Sequence, residues 1–275
     1  MDSGAGRRLT RQLQTIVAEP YCALAAGCVP DALPWEIPRI ARQAGFESCG
    51  MWVDPATTWD GGALGRTRSA LTETGVKLID VEALWLGNGS RATDAQKLIL
   101  DAGLRLGARN VLVVSRHDDY AASLSQFREL CEWVGDGIRI NLEFGEFTPI
   151  KSLSAARAFI AAVDHPAAGI LIDLMHLNRA GDALPSLDSE LFSYVQACDF
   201  LQSSATMTGA DYIEAAVDGR CPLGEGEARR GDIEAVCRSG LDVSLEIRSK
   251  ALRDAFPDPM ERAQQIRQRC QRSAH

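Results

Sequence analysis

Eight short β-like runs alternate with longer helix-like stretches along the whole chain, and this alternation narrows the possible folds more than any other feature. The candidate strands are Tyr21–Ala25, Ser48–Val53, Lys77–Ala83, Asn110–Ser115, Arg139–Phe144, Gly169–Asp173, Val195–Phe200 and Leu241–Ile247. Val111-Leu112-Val113-Val114 and Gly169-Ile170-Leu171-Ile172 are continuous apolar runs, as expected of parallel strands buried on both faces. Helical patterns fill the intervals at Trp35–Ala44, Arg66–Thr74, Thr93–Leu106, Ser123–Val134, Ser154–Val163, Leu187–Leu191, Asp232–Cys237 and Pro259–Arg272. Glycine closes several of them, as in Thr74-Gly75-Val76 and Leu106-Gly107-Ala108, where a left-handed helix end suits it. Eight βα units without a linker or low-complexity tract predict a single α/β domain spanning residues 1–275, a (β/α)8 TIM barrel. Residues 1–20 read as an N-terminal helix or extension, and residues 201–231 as a long loop between the seventh and eighth strands. A doubly wound open sheet is the alternative. It would ordinarily carry a Gly-rich first turn, and neither Gly-x-Gly-x-x-Gly nor the P-loop pattern is present.

Charge and cysteine usage bound the function. Lys and Arg total 29 against 37 Asp and Glu, a net charge of −8, which argues against a general nucleic-acid binder. No apolar run approaches the ~18–20 residues of a membrane-spanning helix. The eight cysteines include no Cys-x-x-Cys and fall mostly in apolar segments, so free thiols in a reduced, cytoplasmic protein are expected.

In a (β/α)8 barrel the reactive groups project from the C-terminal ends of the strands. Those ends carry Glu82, Glu143, Asp173, Gln196, Asp199 and Glu246 in order. Any one acid is as readily a helix cap or an ion-pair partner. Several at the ends of different strands converge on one space, where burial is costly unless they are paired or bind metal. Hard oxygen ligands favour Mg²⁺ or Mn²⁺ over zinc. The four histidines fit this choice: His275 is terminal, His165 precedes a proline, His117 follows the fourth strand, and His176 lies three residues after Asp173. His176 is the best placed of them.

Asn141-Leu142-Glu143-Phe144, Asp173-Leu174-Met175-His176, Tyr194-Val195-Gln196-Ala197-Cys198-Asp199, Arg220-Cys221-Pro222-Leu223-Gly224-Glu225-Gly226-Glu227 and Ser244-Leu245-Glu246-Ile247 together resemble the xylose-isomerase-like TIM barrel family, the sugar phosphate isomerase/epimerase superfamily. The resemblance spans about residues 20–272. It implies one divalent metal ion, Mn²⁺ or Mg²⁺ first and Co²⁺ next, held by Glu143, Asp173, Gln196 and Glu246. Many members carry His at the seventh-strand position, where this chain has Gln196. The pattern gives His176 a hydrogen bond to a substrate oxygen and sets Arg220 at the rim; Glu82 and Trp52 complete the substrate-facing set.

A divalent ion chelated by a carbonyl and a neighbouring hydroxyl acidifies the adjacent C–H, and a carboxylate can then remove that proton to give an enediolate. Glu143 and Glu246 are the candidate bases. The expected activity is isomerisation or epimerisation of a keto sugar, polyol or related hydroxy-ketone, on a small carbohydrate or cyclitol-like substrate. The alternative is a lyase that dehydrates a cyclic keto-polyol or keto acid such as keto-inositol or dehydroshikimate. A non-catalytic or partner-dependent barrel subunit is the third reading, and a homo-oligomer is left open. Trp52, Trp85 and Phe144 are candidates for an apolar wall, with core packing the competing role. Arg220, Arg248 and Lys250 are the candidate anion contacts.

Overall fold

The computed structural model describes residues 22–87, 89–201 and 207–273; the expected N-terminal helix lies outside the described residues. Eight strands close into a parallel barrel: β1 (Cys22–Leu24), β2 (Ser48–Trp52), β3 (Lys77–Leu86), β4 (Asn110–Ser115), β5 (Arg139–Glu143), β6 (Ala168–Asp173), β7 (Tyr194–Ala197) and β10 (Asp242–Leu245). The ring closes where β1 pairs with β10, Ala23 opposite Ser244. The two remaining strands, β8 (Asp199–Phe200) and β9 (Arg220–Cys221), pair antiparallel outside the barrel.

The helices surround the ring: α1 (Ile37–Gln43), α2 (Ala63–Thr74), α3 (Asp94–Leu106), α4 (Tyr120–Val134), α5 (Leu153–Val163), α6 (Leu174–Arg179), α7 (Gly209–Asp218), α8 (Arg230–Arg238), α9 (Lys250–Ala255) and α10 (Pro259–Ser273). Their starts follow local chemistry. Thr93 and Gln96 form a reciprocal capping box at α3, and Asp119 and Ser152 cap α4 and α5. Gly75 and Gly107 end α2 and α3 with φ of 68° and 75°, the left-handed conformation expected of them. Among the described residues no helix is long and apolar enough to cross a membrane.

Three segments differ from the sequence expectation. Leu187–Leu191 is turn and bend rather than helix; the helix after β6 is α6, which starts directly on Asp173 because that carboxylate accepts the N–H groups of Met175 and His176. The predicted strand Val195–Phe200 is broken, since residues from Asp199 onward leave the barrel to pair with Arg220 and Cys221. The interval 201–231 is not only loop, because α7 and β9 are built within it.

Successive strand residues point to opposite faces, so Leu171 and Asp173, Tyr194 and Gln196, and Ser244 and Glu246 share the inner face of their strands. Ala23, Ile79, Leu112, Val114, Leu171 and Tyr194 form an apolar cluster separate from the larger core between sheet and helices. Asn110, Asn141 and Ser193 interlock across three segments: Asn141 Nδ2 donates to Asn110 Oδ1 at 3.1 Å, and Ser193 Oγ lies 2.7 and 2.9 Å from the two side-chain oxygens.

One buried arginine ties the last helix to the first barrel loop. Arg262, on α10, is 1% exposed; it donates to the Cys28 carbonyl at 3.0 Å and the Phe256 carbonyl at 3.3 Å, and pairs with Asp31. Cys28 Sγ in turn lies 2.9 Å from the Leu245 carbonyl and accepts the Ile247 N–H at 3.3 Å, on either side of Glu246. Arg262→Ala should lower unfolding free energy by about 2–4 kcal/mol, because it leaves buried carbonyls unpaired and removes a large buried side chain. Chemical denaturation monitored by circular dichroism measures this; a midpoint unchanged from wild type would refute the role.

Candidate active site

The C-terminal ends of the strands open on a cavity of about 920 Å³. Glu82, Glu143, His176, Gln196, Arg220, Glu246 and Trp52 all line it, so the structure brings these sequence-predicted residues together. Asp173 sits behind Arg220, with its side chain fully buried. In barrel order β5, β6, β7 and β10 are consecutive neighbours, and they supply Glu143, Asp173, Gln196 and, one residue past the end of β10, Glu246. Register sets the heights: Asp173 is opposite Gln196, and the Glu246 N–H donates to the Ala197 carbonyl at 3.0 Å. Four adjacent strands thus present four oxygen-bearing side chains in an arc.

Arg220 meets that arc from above. Its Nη1 donates to Asp173 Oδ2 at 2.6 Å and lies 3.3 Å from Cys198 Sγ, while Nη2 is 3.5 Å from His176 Nε2. The arginine is buried rather than displayed at the rim. The Arg220-to-Glu227 motif explains how it is held there. Asp199, also expected among the reactive acids, instead accepts the N–H groups of Gly224 at 3.0 Å and Ala228 at 2.8 Å, folding the loop that follows β9. Arg220 Nε then anchors on the Ala216 carbonyl of α7 at 2.9 Å.

Glu143 Oε1 is 3.9 Å from His176 Nε2. Glu82 Oε1 accepts the Ala26 N–H at 3.1 Å, and its Oε2 faces the Gln196 amide nitrogen at 3.4 Å, leaving the Gln196 carbonyl oxygen as the acceptor. Burial, reinforced by neighbouring carboxylates, pushes the Glu82 and Glu143 carboxyls well above their ordinary range, and burial raises Glu246 as well. Burial also opposes ionisation of Asp173, but the Arg220 charge outweighs it and holds that carboxyl low. Burial pulls the His176 imidazole down to about 4, so it is neutral at pH 7.

The donor set fits a divalent cation. Glu143, Asp173 and His176 offer ligand atoms within 4.8 Å of one another, all buried. Glu246 stands outside that trio but brings a buried Oε2 without a hydrogen-bond partner. The backbone at Gly27 is pressed against the same carboxylate, where a Cβ would lie 2.3 Å from Oε1. Since Asp173 Oδ1 is engaged by α6, a cation reaching this aspartate shares Oδ2 with Arg220 or displaces it.

Other sequence-predicted groups lie elsewhere. Phe144 is 1% exposed within the main core, so it is a packing residue; Phe147 takes the wall position, its ring 4.9 Å from that of His176. His117 faces the backbone N–H groups of Gly89 and Asp119 on the outer loops. Lys250 sits on α9 and pairs with Asp254 at 2.5 Å. Sequence reasoning also passed over Asp80, which is fully buried beside the Tyr194 hydroxyl. The alternation Asp80-x-Glu82, two acids on one strand face, was the available signal.

The family model for the xylose isomerase-like TIM barrel matches residues 38–270. The chain belongs to this family. No curated protein sequence matches it. Among solved structures it is similar to a xylose isomerase-like TIM barrel/4-hydroxyphenylpyruvate dioxygenase fusion protein, with 20% identity and a TM-score of 0.70 over 93% of this chain. The chain spans only 42% of that fusion protein's length. A second is the IOLI protein with a bound zinc atom, with 14% identity and a TM-score of 0.72 over 92% of this chain and 97% of that one. A third is the D-allulose 3-epimerase from Methylomonas sp., with 15% identity and a TM-score of 0.64 over 93% and 98%. At these identities the likeness is one of fold.

The raised carboxyls give a pH dependence of definite sign. Between the ordinary glutamate value and their raised native values, the native protein holds more protons than the unfolded chain, so metal-free stability falls as pH rises. A bound divalent cation relieves that repulsion and displaces the protons. The thermal shift produced by Mn²⁺ should therefore be larger at pH 8 than at pH 6. Scanning fluorimetry with and without chelator measures it; no shift at either pH would exclude the metal.

Proposed function

We propose that this protein is a divalent-metal-dependent isomerase or epimerase that moves a proton next to the carbonyl of a keto sugar, polyol or related hydroxy-ketone. The observation that carries this reading is the placement of Glu143 and Glu246. They stand at the two ends of the arc β5-β6-β7-β10, both buried in one cavity and both raised by burial.

Glu143, Asp173, Gln196 and Glu246 would hold the metal, with His176 close enough to join Glu143 and Asp173. Mn²⁺ or Mg²⁺ suits this oxygen-rich set; the similarly folded IOLI protein holds zinc. When bound, the metal supplies polarisation of the substrate's carbonyl and acidification of its neighbouring C–H. A carboxylate whose affinity for protons is raised by burial takes a proton from carbon more readily than an exposed one and can give it back. Glu143 takes the proton on one face, and Glu246 serves the other. Return to the opposite face gives epimerisation, the activity named for the D-allulose 3-epimerase of the same fold. Return to the neighbouring carbon gives isomerisation.

Neutral His176 donates one ring N–H to a substrate oxygen while the other nitrogen serves as an acceptor. Its ring is oriented by Phe147 and by the Arg220 guanidinium, which also keeps Asp173 ionised. Trp52, Phe147 and the α7 residues Ile213 and Ala216 supply apolar surface around the reacting carbons and limit water access.

Incubating the Mn²⁺-loaded protein in D₂O with a panel of ketoses and keto-polyols tests the reading. Deuterium should enter the α position, and Glu143→Gln or Glu246→Gln should slow exchange by about 10²–10⁴-fold with the melting temperature of the metal-free protein maintained or raised. A conjugated or keto-deoxy product with loss of water would reassign the site to a dehydratase using the same first step. Absence of exchange with every ketose, or wild-type exchange in either variant, would overturn the assignment.

A further inference from the structure

Glu246 is the member of the arc that stands past the end of its strand, so the closed ring alone does not fix it. Its backbone is held from both sides. Toward β7 its N–H donates to the Ala197 carbonyl at 3.0 Å. Toward β1 the Cys28 thiol spans it, donating to the Leu245 carbonyl at 2.9 Å and accepting the Ile247 N–H at 3.3 Å. The carboxylate has no comparable hold: its Oε2 is buried without a hydrogen-bond partner among the described residues. Where that carboxylate stands therefore depends on what it rests against.

It rests against the short turn Ala26–Cys28 that follows β1. Two consecutive residues of this turn meet two acids. The Ala26 N–H donates to Glu82 Oε1 at 3.1 Å, and a Cβ on Gly27 would lie 2.3 Å from Glu246 Oε1 and 3.1 Å from its carboxyl carbon. The turn is itself well anchored. All three residues are buried, the N–H groups of Cys28 and Val29 donate to the Ala25 and Ala26 carbonyls at 3.1 Å, and Arg262 donates to the Cys28 carbonyl at 3.0 Å.

The backbone conformation does not demand glycine here. Gly27 is absent from the glycines with positive φ, so an L side chain fits the turn. What a methyl group would meet is the far end of a flexible side chain, not another backbone. Oε1, at 2.3 Å, would retreat by about 0.7 Å to reach even 3.0 Å, the closest approach such contacts ordinarily allow. Displacements of about 1 Å at a reacting or coordinating group are costly. The missing side chain is thus used by the site and not by the fold.

We propose that Gly27 is a positioning residue: its bare backbone is the seat of the Glu246 carboxylate, and the Cys28 clamp fixes that seat against β10. Together they set how far Glu246 reaches toward the metal position and the reacting carbon. This deepens the function given above and rests on its assignment of Glu246 as ligand and base.

Four proteins test it: wild type, Gly27→Ala, Glu246→Ala and the double variant. Calorimetry should show Gly27→Ala lowering Mn²⁺ affinity about ten- to hundredfold, whereas adding it to Glu246→Ala should change affinity by less than about twofold. The visible spectrum of the Co²⁺-loaded protein should shift in Gly27→Ala, and the double variant should match Glu246→Ala. The metal-free melting temperature of Gly27→Ala should stay within about 4 °C of wild type. Equal loss of affinity with and without Glu246 would overturn the proposal, as would a large fall in melting temperature shared by both Gly27 variants, which would assign Gly27 to the backbone. Wild-type Mn²⁺ affinity left unchanged by Gly27→Ala overturns this proposal alone; a wild type without affinity overturns the metal reading as well. Deuterium exchange in the same proteins reports separately on proton transfer: its absence throughout, with the affinity cycle as expected, removes the base role of Glu246 and supports Gly27 as the residue that positions a ligand.

Discussion

Mutual repulsion among buried carboxylates governs the upper half of this barrel. Glu82, Glu143, Asp173 and Glu246 occupy one cavity wall or lie directly behind it, each less than a tenth exposed. Taking even one such charge out of water is expensive, and several together are tolerable only if they hold protons or meet cations. The structure uses both devices. Arg220 keeps Asp173 ionised, whereas Glu82, Glu143 and Glu246 are pushed toward the protonated state. This crowding of buried carboxylates raises the proton affinity of the glutamates and makes the site a fit for a divalent ion. The two properties come from one cause.

The position of Arg220 shows how far the fold goes to manage that repulsion. A two-strand ribbon outside the barrel, a loop folded around Asp199, and the end of α7 together hold a single guanidinium over Asp173. Asp173 is bound from below as well, because it caps α6 and so fixes His176 three residues on. One aspartate therefore couples a helix start, an ion pair and a candidate ligand position. Moving it would disturb all three.

Much of this was legible in the sequence, for reasons that differ by element. Continuous apolar runs such as Val111–Val114 and Gly169–Ile172 mark buried parallel strands because both faces of the sheet are covered, and all eight barrel strands are where such runs place them. Glu143, Gln196 and Glu246 could be expected to face one cavity because strand ends in a barrel converge, and His176 from its spacing after Asp173; all four line the cavity. What the sequence left hidden depends on contacts between distant segments. The departure of Asp199 from the barrel follows from its pairing with Cys221, twenty-two residues on, which no local pattern announces. Leu187–Leu191 carries a helical composition but lies in the αβ connection, and the true helix is set by the Asp173 cap. Phe144 and Phe147 could not be told apart by position near a strand end; burial assigns one to the core and the other to the cavity.

The convergence of strand-end side chains on one cavity bears on why a (β/α)8 barrel suits this chemistry. Strand ends are fixed by the closed hydrogen-bonded ring, so opposing groups can be held apart at a set distance without packing against each other. A substrate held between groups on different strands can then be oriented through its remote end. Binding energy from the remote end can position the reacting end, where uniform tightening around the carbons would stabilise substrate and transition state alike. The same arrangement separates what must be rigid from what can vary. The ring and Asp173 fix the acidic arc, while Trp52, Arg116 and Arg248 end or follow strands and can differ without unsettling the barrel.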